Sequence, residues 1–128
     1  MSSAAAARKK ILIVEDVEFN LDLLVQLLED EYQLVSAGDG QAGIELASRE
    51  RPDLILMDMS LPGLNGWEAT RRIKSDLALA HIPIIGLSAH ALRAERDQAM
   101  EAGCDEYLTK PVDEELLFAA IRRTFGAP

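Results

Sequence analysis

The chain has 128 residues, of which 48% are hydrophobic and 27% charged, a globular composition that fits one domain and argues against disorder. Its 13 basic and 22 acidic residues give a formal charge of −9, which disfavours direct binding to nucleic acid or to an anionic membrane surface. The single cysteine, Cys104, excludes an internal disulfide and is expected to be a small buried hydrophobic residue.

The N-terminal segment carries its alanines before its basic residues, the reverse of a secretory signal. No apolar run along the chain is long enough to span a bilayer. We therefore predict a disordered leader over residues 1–8, one domain over residues 9–126 and a cytoplasmic location.

Short apolar runs then alternate with segments of helical spacing. Runs that are apolar throughout are typical of strands covered on both faces of a parallel sheet. The predicted strands are Ile11–Val14, Tyr32–Ala37, Leu54–Met57, Ile82–Leu87 and a weak one at Tyr107–Leu108. A helix is predicted after each strand from the apolar stripes Leu21, Leu24, Val25 and Leu28; Ala42, Leu46 and Ala47; Ala69, Ile73 and Leu77; Ala91–Ala102; and Leu117, Ala120 and Ile121. Five such β-α units predict an α/β fold with helices on both faces of a parallel sheet.

The fourth predicted helix, Ala91–Ala102, differs from the others. Its apolar residues are mostly alanine, and Leu92 and Met100 are the only large ones. We predict that it buries little area and is weakly held. Turn chemistry marks other helix ends: Gly103 is expected to end this helix, and Asp113 to cap the next.

Polar residues follow the predicted strands at their carboxyl ends, where ligands of such sheets bind. Glu15 and Asp16 follow the first strand and Asp58 the third. Three converging carboxylates repel one another, and a hard cation such as Mg²⁺ (or Mn²⁺) relieves this. We expect Asp16 and Asp58 to bind the metal directly, Glu15 to act through water, and a backbone carbonyl near Ser60 to complete the protein's share.

Asp58 lies centrally and could act as a nucleophile that forms an aspartyl phosphate. Ser88 after the fourth strand would supply a hydroxyl and Lys110 after the fifth a positive charge. Taken singly, an acidic residue there is a helix cap, the serine a turn residue and the lysine a solvated side chain; together at consecutive strand ends they favour a site.

These residues stand within strings that resemble the receiver domain of two-component response regulators over roughly residues 9–125. The strings are Ile11–Asp16, Asp53–Met59, Leu61–Gly66, Leu87–Ala89 and Tyr107–Pro111. The resemblance implies a flavodoxin-like, doubly wound sheet of five parallel strands in the order 2-1-3-4-5 with five helices.

The resemblance also implies residue roles. Asp58 would be the phosphoacceptor, Glu15 and Asp16 the acidic pair that holds Mg²⁺, and Ser88 the hydroxyl that binds the phosphoryl group. Lys110 would be the salt-bridging lysine before a cis proline, and Tyr107 the aromatic switch. Residues Ser60 and His90 stand at the variable places that tune the phosphoryl lifetime, whereas His81 is expected to be a plain surface residue.

The implied function is a phosphorylation-dependent switch, not an enzyme. It would accept a phosphoryl group from a histidine kinase or histidine phosphotransfer protein, as a monomer or a phosphorylation-dependent dimer. We expect Ser88 to move toward the phosphoryl group, Tyr107 to fill the vacated space and the fourth helix to repack. The fourth helix, fifth strand and fifth helix would then signal to a downstream protein.

Three alternatives stay open. The chain could be a receiver from a larger response regulator or hybrid kinase, although its starting Met and irregular leader favour a stand-alone regulator. A phosphatase of the haloacid dehalogenase type also forms an aspartyl phosphate, but it has a second carboxylate where this chain has Ser60. A receiver-like interaction module that never takes phosphate would normally have lost part of the acidic set or the lysine.

Overall fold

The computed structural model describes residues 8–89 and 92–126, and in this part of the chain five strands alternate with five helices. The strands are β1 (Lys10–Val14), β2 (Gln33–Ala37), β3 (Leu54–Asp58), β4 (Ile84–Ser88) and β5 (Glu106–Thr109). The helices are α1 (Glu18–Leu28), α2 (Gly40–Glu50), α3 (Gly66–Ser75), α4 (Arg93–Ala102) and α5 (Glu114–Thr124). Most of the predicted leader, residues 1–7, lies outside the described residues.

The sheet is entirely parallel, with the strand order β2-β1-β3-β4-β5. This confirms the predicted flavodoxin-like topology with five helices. β4 begins two residues later than predicted, because Ile82 and Pro83 still belong to the loop before it. No helix in the described ranges is both long and apolar enough to cross a bilayer.

Alternate strand residues pack on opposite faces of the sheet and form two cores. On one face, Leu12 and Val14 of β1 pack in a cluster that includes buried residues of α2, α3 and α4. On the other face, Ile11 and Ile13 pack with buried residues of α1 and α5. The strands are therefore apolar on both sides, as a sheet covered by helices on both faces requires.

Three helices begin at residues that cap them with their own side chains. Asp39, Asn65 and Asp113 each accept a hydrogen bond from the backbone N–H three residues later, at 2.8, 3.0 and 3.0 Å. α4 has no such cap at Leu92, and it ends at Gly103 with a φ of 119°. The predicted C-terminal glycine and the predicted cap at Asp113 are both confirmed.

The prediction that Leu77 continues the apolar stripe of the third helix is wrong. α3 ends at Ser75, and Leu77 is 96% exposed. The side chain of Asp76 accepts a hydrogen bond from the backbone N–H two residues on, which favours a turn over another helical turn. Leu79 and Ile82 in the following loop are buried in the core.

Candidate functional site

The carboxyl edge of the sheet brings the predicted site residues into one place. Glu15 follows β1 and its backbone N–H donates to the carbonyl of Ala37, at 3.0 Å, so the strand pairing continues to the site. Asp58 and Ser88 are the last residues of β3 and β4. The backbone N–H of Lys110 donates to the Ser88 carbonyl at 2.7 Å, which fixes the lysine beside β4.

Three carboxylates lie together at this edge. One oxygen atom from each of Glu15, Asp16 and Asp58 lies within 4.8 Å of the others. Glu15 and Asp58 are each 2% exposed, whereas Asp16 is exposed to solvent. The cluster is thus open on the side of Asp16 and closed on the side of the sheet.

The side chain of Lys110 joins two of these carboxylates. Its Nζ lies 2.9 Å from Oε1 of Glu15 and 3.2 Å from Oδ1 of Asp58. The peptide bond between Lys110 and Pro111 is cis, as the family resemblance implies. Asp58 Oδ1 also accepts the backbone N–H of Ser60 at 3.0 Å, so this carboxylate is held from two directions.

Burial and nearby charges shift the pKa values of Glu15 and Lys110. Burial raises the pKa of Glu15, and the nearby charge of Asp58 raises it further, against the lowering effect of the hydrogen bonds from Lys110 and Val17. Burial by itself lowers the pKa of Lys110, but its hydrogen bond to Glu15 and the negative charge of Asp58 outweigh this and leave the pKa raised. The ammonium is therefore held in its charged form.

The cluster has the composition of a site for a hard divalent cation. Its ligand atoms are all carboxylate oxygens, which Mg²⁺ prefers. The three carboxylates and the Lys110 ammonium leave two uncompensated negative charges in a largely buried setting. Both oxygens of Glu15 already accept hydrogen bonds, from Lys110 at 2.9 Å and from the backbone N–H of Val17 at 3.1 Å, which leaves Asp16 and Asp58 better placed to bind a metal directly.

The two predicted switch residues lie on neighbouring strands, Ser88 at the end of β4 and Tyr107 opposite Gly86 on β5. Ser88 is buried, with 1% of its surface exposed. Tyr107 on β5 is half-buried and packs against the core beside Gly86 of β4, where a Cβ atom would stand 3.5 Å from the tyrosine ring. No spacing in the sequence points to Gly86, because only the pairing of β4 with β5 places it opposite Tyr107.

Other predicted residues stand apart from this cluster or beyond the described part. Ser60 is exposed, and its carbonyl as a metal ligand stays a prediction. His90 lies outside the described residues. His81 is exposed, and Cys104 is buried, so the expectations of a surface histidine and a small buried cysteine are confirmed. Burial also raises the pKa of the Cys104 thiol to about 11.

Gly66 supports the site, although the sequence indicated it only as the last residue of the string Leu61–Gly66. A Cβ atom there would collide with the carbonyl oxygen of Asp58 and lie 2.6 Å from Cα of Met59. α3 therefore starts directly on the backbone of the central aspartate. The signal available in the sequence was a glycine at the first position of a capped helix.

The face formed by α4, β5 and α5 carries a groove of about 390 Å³. Its lining residues are Arg96, Tyr107, Leu108, Thr109, Pro111, Asp113 and Leu116. Leu116 is 60% exposed. Leu92 and Met100, each four residues from Arg96, are also exposed. This groove borders Tyr107, the predicted aromatic switch.

Comparison with known proteins finds response regulators and a model of their receiver domain. A model of the response regulator receiver domain matches residues 11–122. The response regulator PleD of Caulobacter vibrioides is 41% identical over 114 residues, which are 88% of this chain, and the match spans 25% of PleD. The polar-differentiation response regulator DivK of Brucella anthropi is 36% identical over 119 residues, covering 92% of this chain and 97% of DivK.

A solved structure of a receiver domain is also similar to this chain. It is the receiver domain of a sensor histidine kinase from Pseudomonas aeruginosa PAO1, with a magnesium ion coordinated in its active site cleft. It is 36% identical, has a TM-score of 0.87, and the match covers 94% of this chain and 100% of that one.

Proposed function

This chain belongs to the response regulator receiver domain family, and on that premise we propose that it is a signalling switch whose phosphoacceptor is Asp58. The observation that carries the proposal is the position of Asp58. Its carboxylate is buried at the carboxyl edge of the sheet, shares a cluster with Glu15 and Asp16, and lies 3.2 Å from the ammonium of Lys110. The proposal concerns the domain over residues 9–126.

The proposed reaction is transfer of a phosphoryl group from a phosphohistidine of a histidine kinase or phosphotransfer protein. A carboxylate oxygen of Asp58 attacks the phosphorus atom in line with the bond to the imidazole nitrogen. The O–P bond forms, the P–N bond breaks, and its electron pair stays on the imidazole. Lys110 stands where its charge stabilises the negative charge that the phosphoryl oxygens bring to the site. Such donors work inside the cell, so the proposal places the domain in the cytoplasm.

We assign Mg²⁺ as the metal, with Asp16 and Asp58 as direct ligands, Glu15 through water, and a backbone carbonyl near Ser60 as a further ligand. When bound, the cation supplies positive charge that offsets the carboxylates and the phosphoryl oxygens. The all-oxygen cluster within 4.8 Å supports this assignment. So does the magnesium ion in the cleft of the related receiver domain, which is 36% identical.

The proposed output is a rearrangement on the α4–β5–α5 face. A phosphoryl group adds about −1.5 to −2 charge and three strong acceptors at Asp58. Ser88, buried at the end of the neighbouring strand, moves to bind it, and Tyr107 fills the space that Ser88 leaves. The groove beside Tyr107 changes shape as α4 repacks, and a downstream protein reads that change. Ser60 and His90 tune how long the phosphoryl group survives.

Intact-mass measurement tests the proposed acceptor. The protein is incubated with acetyl phosphate and Mg²⁺, and we expect it to gain the mass of one phosphoryl group. Asp58→Asn, which keeps the size of the side chain, is expected to gain none, and a chelator is expected to prevent the gain in the wild type. Phosphorylation of Asp58→Asn to the wild-type extent would show that the acceptor is another residue.

A further inference from the structure

Two buried polar atoms on neighbouring helices have no hydrogen-bond partner among the described residues. They are the indole Nε1 of Trp67, near the start of α3, and Oε2 of Glu95, near the start of α4. The first can only donate a hydrogen bond, and the carboxylate oxygen accepts one. Buried groups without partners are few in native proteins, because each costs free energy. Here the two unsatisfied atoms are complementary.

Trp67 and Glu95 lie at nearly the same height along their helices. α3 and α4 follow strands of one parallel sheet and cover the same face, so they run in the same direction. Near their C-terminal ends they touch, since a Cβ atom at Gly103 would lie 2.7 Å from Cγ of Lys74. Trp67 stands seven residues before Lys74 and Glu95 eight residues before Gly103. At 1.5 Å per residue these are about 10.5 and about 12 Å along the axes.

Both side chains also belong to the facing sides of the two helices. Trp67 and Lys74 are separated by two helical turns and therefore share a face of α3. Glu95 shares a face of α4 with Ala99 and Ala102, four and seven residues later, and both of these alanines are buried. The two unsatisfied atoms thus stand on opposite sides of one seam between the helices.

Of the two helices that line this seam, only α4 can shift at a small cost in free energy. α3 is fixed at its start, because Asn65 caps it and Gly66 lies against the carbonyl of Asp58. α4 begins at Leu92 without a side-chain cap and buries only Ala99 and Ala102. A shift that closes the seam would therefore be a movement of the first turn of α4 toward α3.

We propose that Glu95 accepts a hydrogen bond from the indole N–H of Trp67 in the phosphorylated state, and that this bond holds α4 in its shifted position. The inference rests on the proposed function and adds to it a specific hydrogen bond. This bond forms on the side of α4 away from the groove that Arg96 and Tyr107 line. Because the bond exists only in the shifted state, it biases the equilibrium between the two positions of α4. Loss of the acceptor is expected to lower the ratio of shifted to unshifted protein by roughly tenfold.

The indole N–H can be observed directly, since Trp67 is the only tryptophan of the chain. We would record the ¹H–¹⁵N resonance of its side chain with and without beryllium fluoride and Mg²⁺, which form a stable mimic of the aspartyl phosphate. In the wild type we expect a downfield shift of the indole proton and slower exchange with water. Glu95→Met is expected to abolish both changes, and Glu95→Gln, which keeps a carbonyl acceptor, to retain them.

Glu101→Met is the matched control, because it removes a carboxylate from an exposed position of the same helix. It is expected to behave as the wild type. Intact mass after acetyl phosphate treatment separates the two hypotheses. A wild type that gains no phosphoryl mass would overturn the proposed function, and this inference with it. A wild type that gains it while the indole resonance stays unchanged, or shifts equally in Glu95→Met, would overturn the inference alone.

Discussion

α3 and α4 are neighbours on one face of the sheet, and each has ten residues, yet they are held very differently. α3 is capped by Asn65, packs its first residue against the Asp58 carbonyl and buries Ile73 completely. α4 has no side-chain cap and contributes only alanines, Ala99 and Ala102, to the core. The first helix is thus a fixed support for the site and the second a loosely attached neighbour.

On the proposed function, this difference lets one fold combine a firmly held site with a helix that moves. Residues that hold a reacting carboxylate must not shift when charge is added, and Gly66 places α3 directly on that backbone. A helix that reports the added charge must have two positions of similar free energy, which small buried area allows. The sequence encodes this contrast by giving α3 an isoleucine where α4 has alanine.

The largest expected effect tests the contrast in packing. Ile73→Ala leaves a cavity in the core and should lower the free energy of unfolding by about 2–5 kcal/mol. Met100→Ala, at a position of α4 that is 41% exposed, should change it by no more than about 0.5 kcal/mol. Urea denaturation of the two variants and the wild type measures both. Similar losses from the two helices would remove the distinction.

A second pair of variants removes the side-chain cap of α3 and adds one to α4. Asn65→Ala removes the side-chain acceptor at the start of α3 and should cost about 1 kcal/mol. Leu92→Asp offers α4 the acceptor that it lacks and should stabilise the protein by about 0.5–1 kcal/mol. Thermal and urea unfolding measure the change. If Leu92→Asp destabilised the protein as much as Asn65→Ala does, the start of α4 would already be well held.

The smallest expected effect concerns the protonation of Glu15 at the carboxyl edge of the sheet. The pKa of Glu15 is raised by burial, so the folded protein binds this proton more tightly than the unfolded chain. Its contribution to stability is therefore fully present below the ordinary value of 4.5 and is lost as the pH rises through the raised value. Glu15→Gln, which keeps an acceptor for Lys110, should remove this loss while weakening Mg²⁺ binding.

Urea denaturation between about pH 4 and pH 8 without Mg²⁺ tests that expectation. The difference in unfolding free energy between Glu15→Gln and the wild type should grow in favour of the variant as the pH rises. Glu18→Gln, at an exposed position of α1, is the control and should follow the wild type. Parallel profiles for Glu15→Gln and the wild type would contradict the raised pKa.

The edge of the sheet could be predicted because apolar runs show where parallel strands stop. Asp58 directly follows such a run, and in a parallel sheet the carboxyl ends of β1, β3 and β5 must lie at one edge. The clustering of Glu15, Asp16 and Asp58 and the approach of Lys110 agree with that edge, whereas the strand order and the pairing of the lysine were implied by the family resemblance. The composition of α4 also indicated its weak hold, because its apolar residues are mostly alanines, which cannot bury much area.

Some features escaped prediction because local turn hydrogen bonds override the helical spacing, and others because they depend on contacts between segments that are distant in the chain. Leu77 fitted the helical period, but the local hydrogen bonds of Asp76 end α3 before it. Lys74 donates to the carbonyl of Ile82 at 2.7 Å and pairs with Asp105 at 3.2 Å, a connection between loops that no spacing reveals. The unsatisfied atoms of Trp67 and Glu95 likewise emerge only when the two helices are set side by side.

If a phosphoryl group on Asp58 moves α4 and leaves α3 in place, amide hydrogen exchange will show it directly. The exchange of Arg93–Ala102 and of Gly66–Ser75 would be compared with and without beryllium fluoride and Mg²⁺, with Asp58→Asn as the control. We predict that amides of α4 change their exchange rates by about tenfold or more while those of α3 stay within about twofold, and that the control shows neither change. Equal changes in both helices, or a change confined to α3, would contradict it.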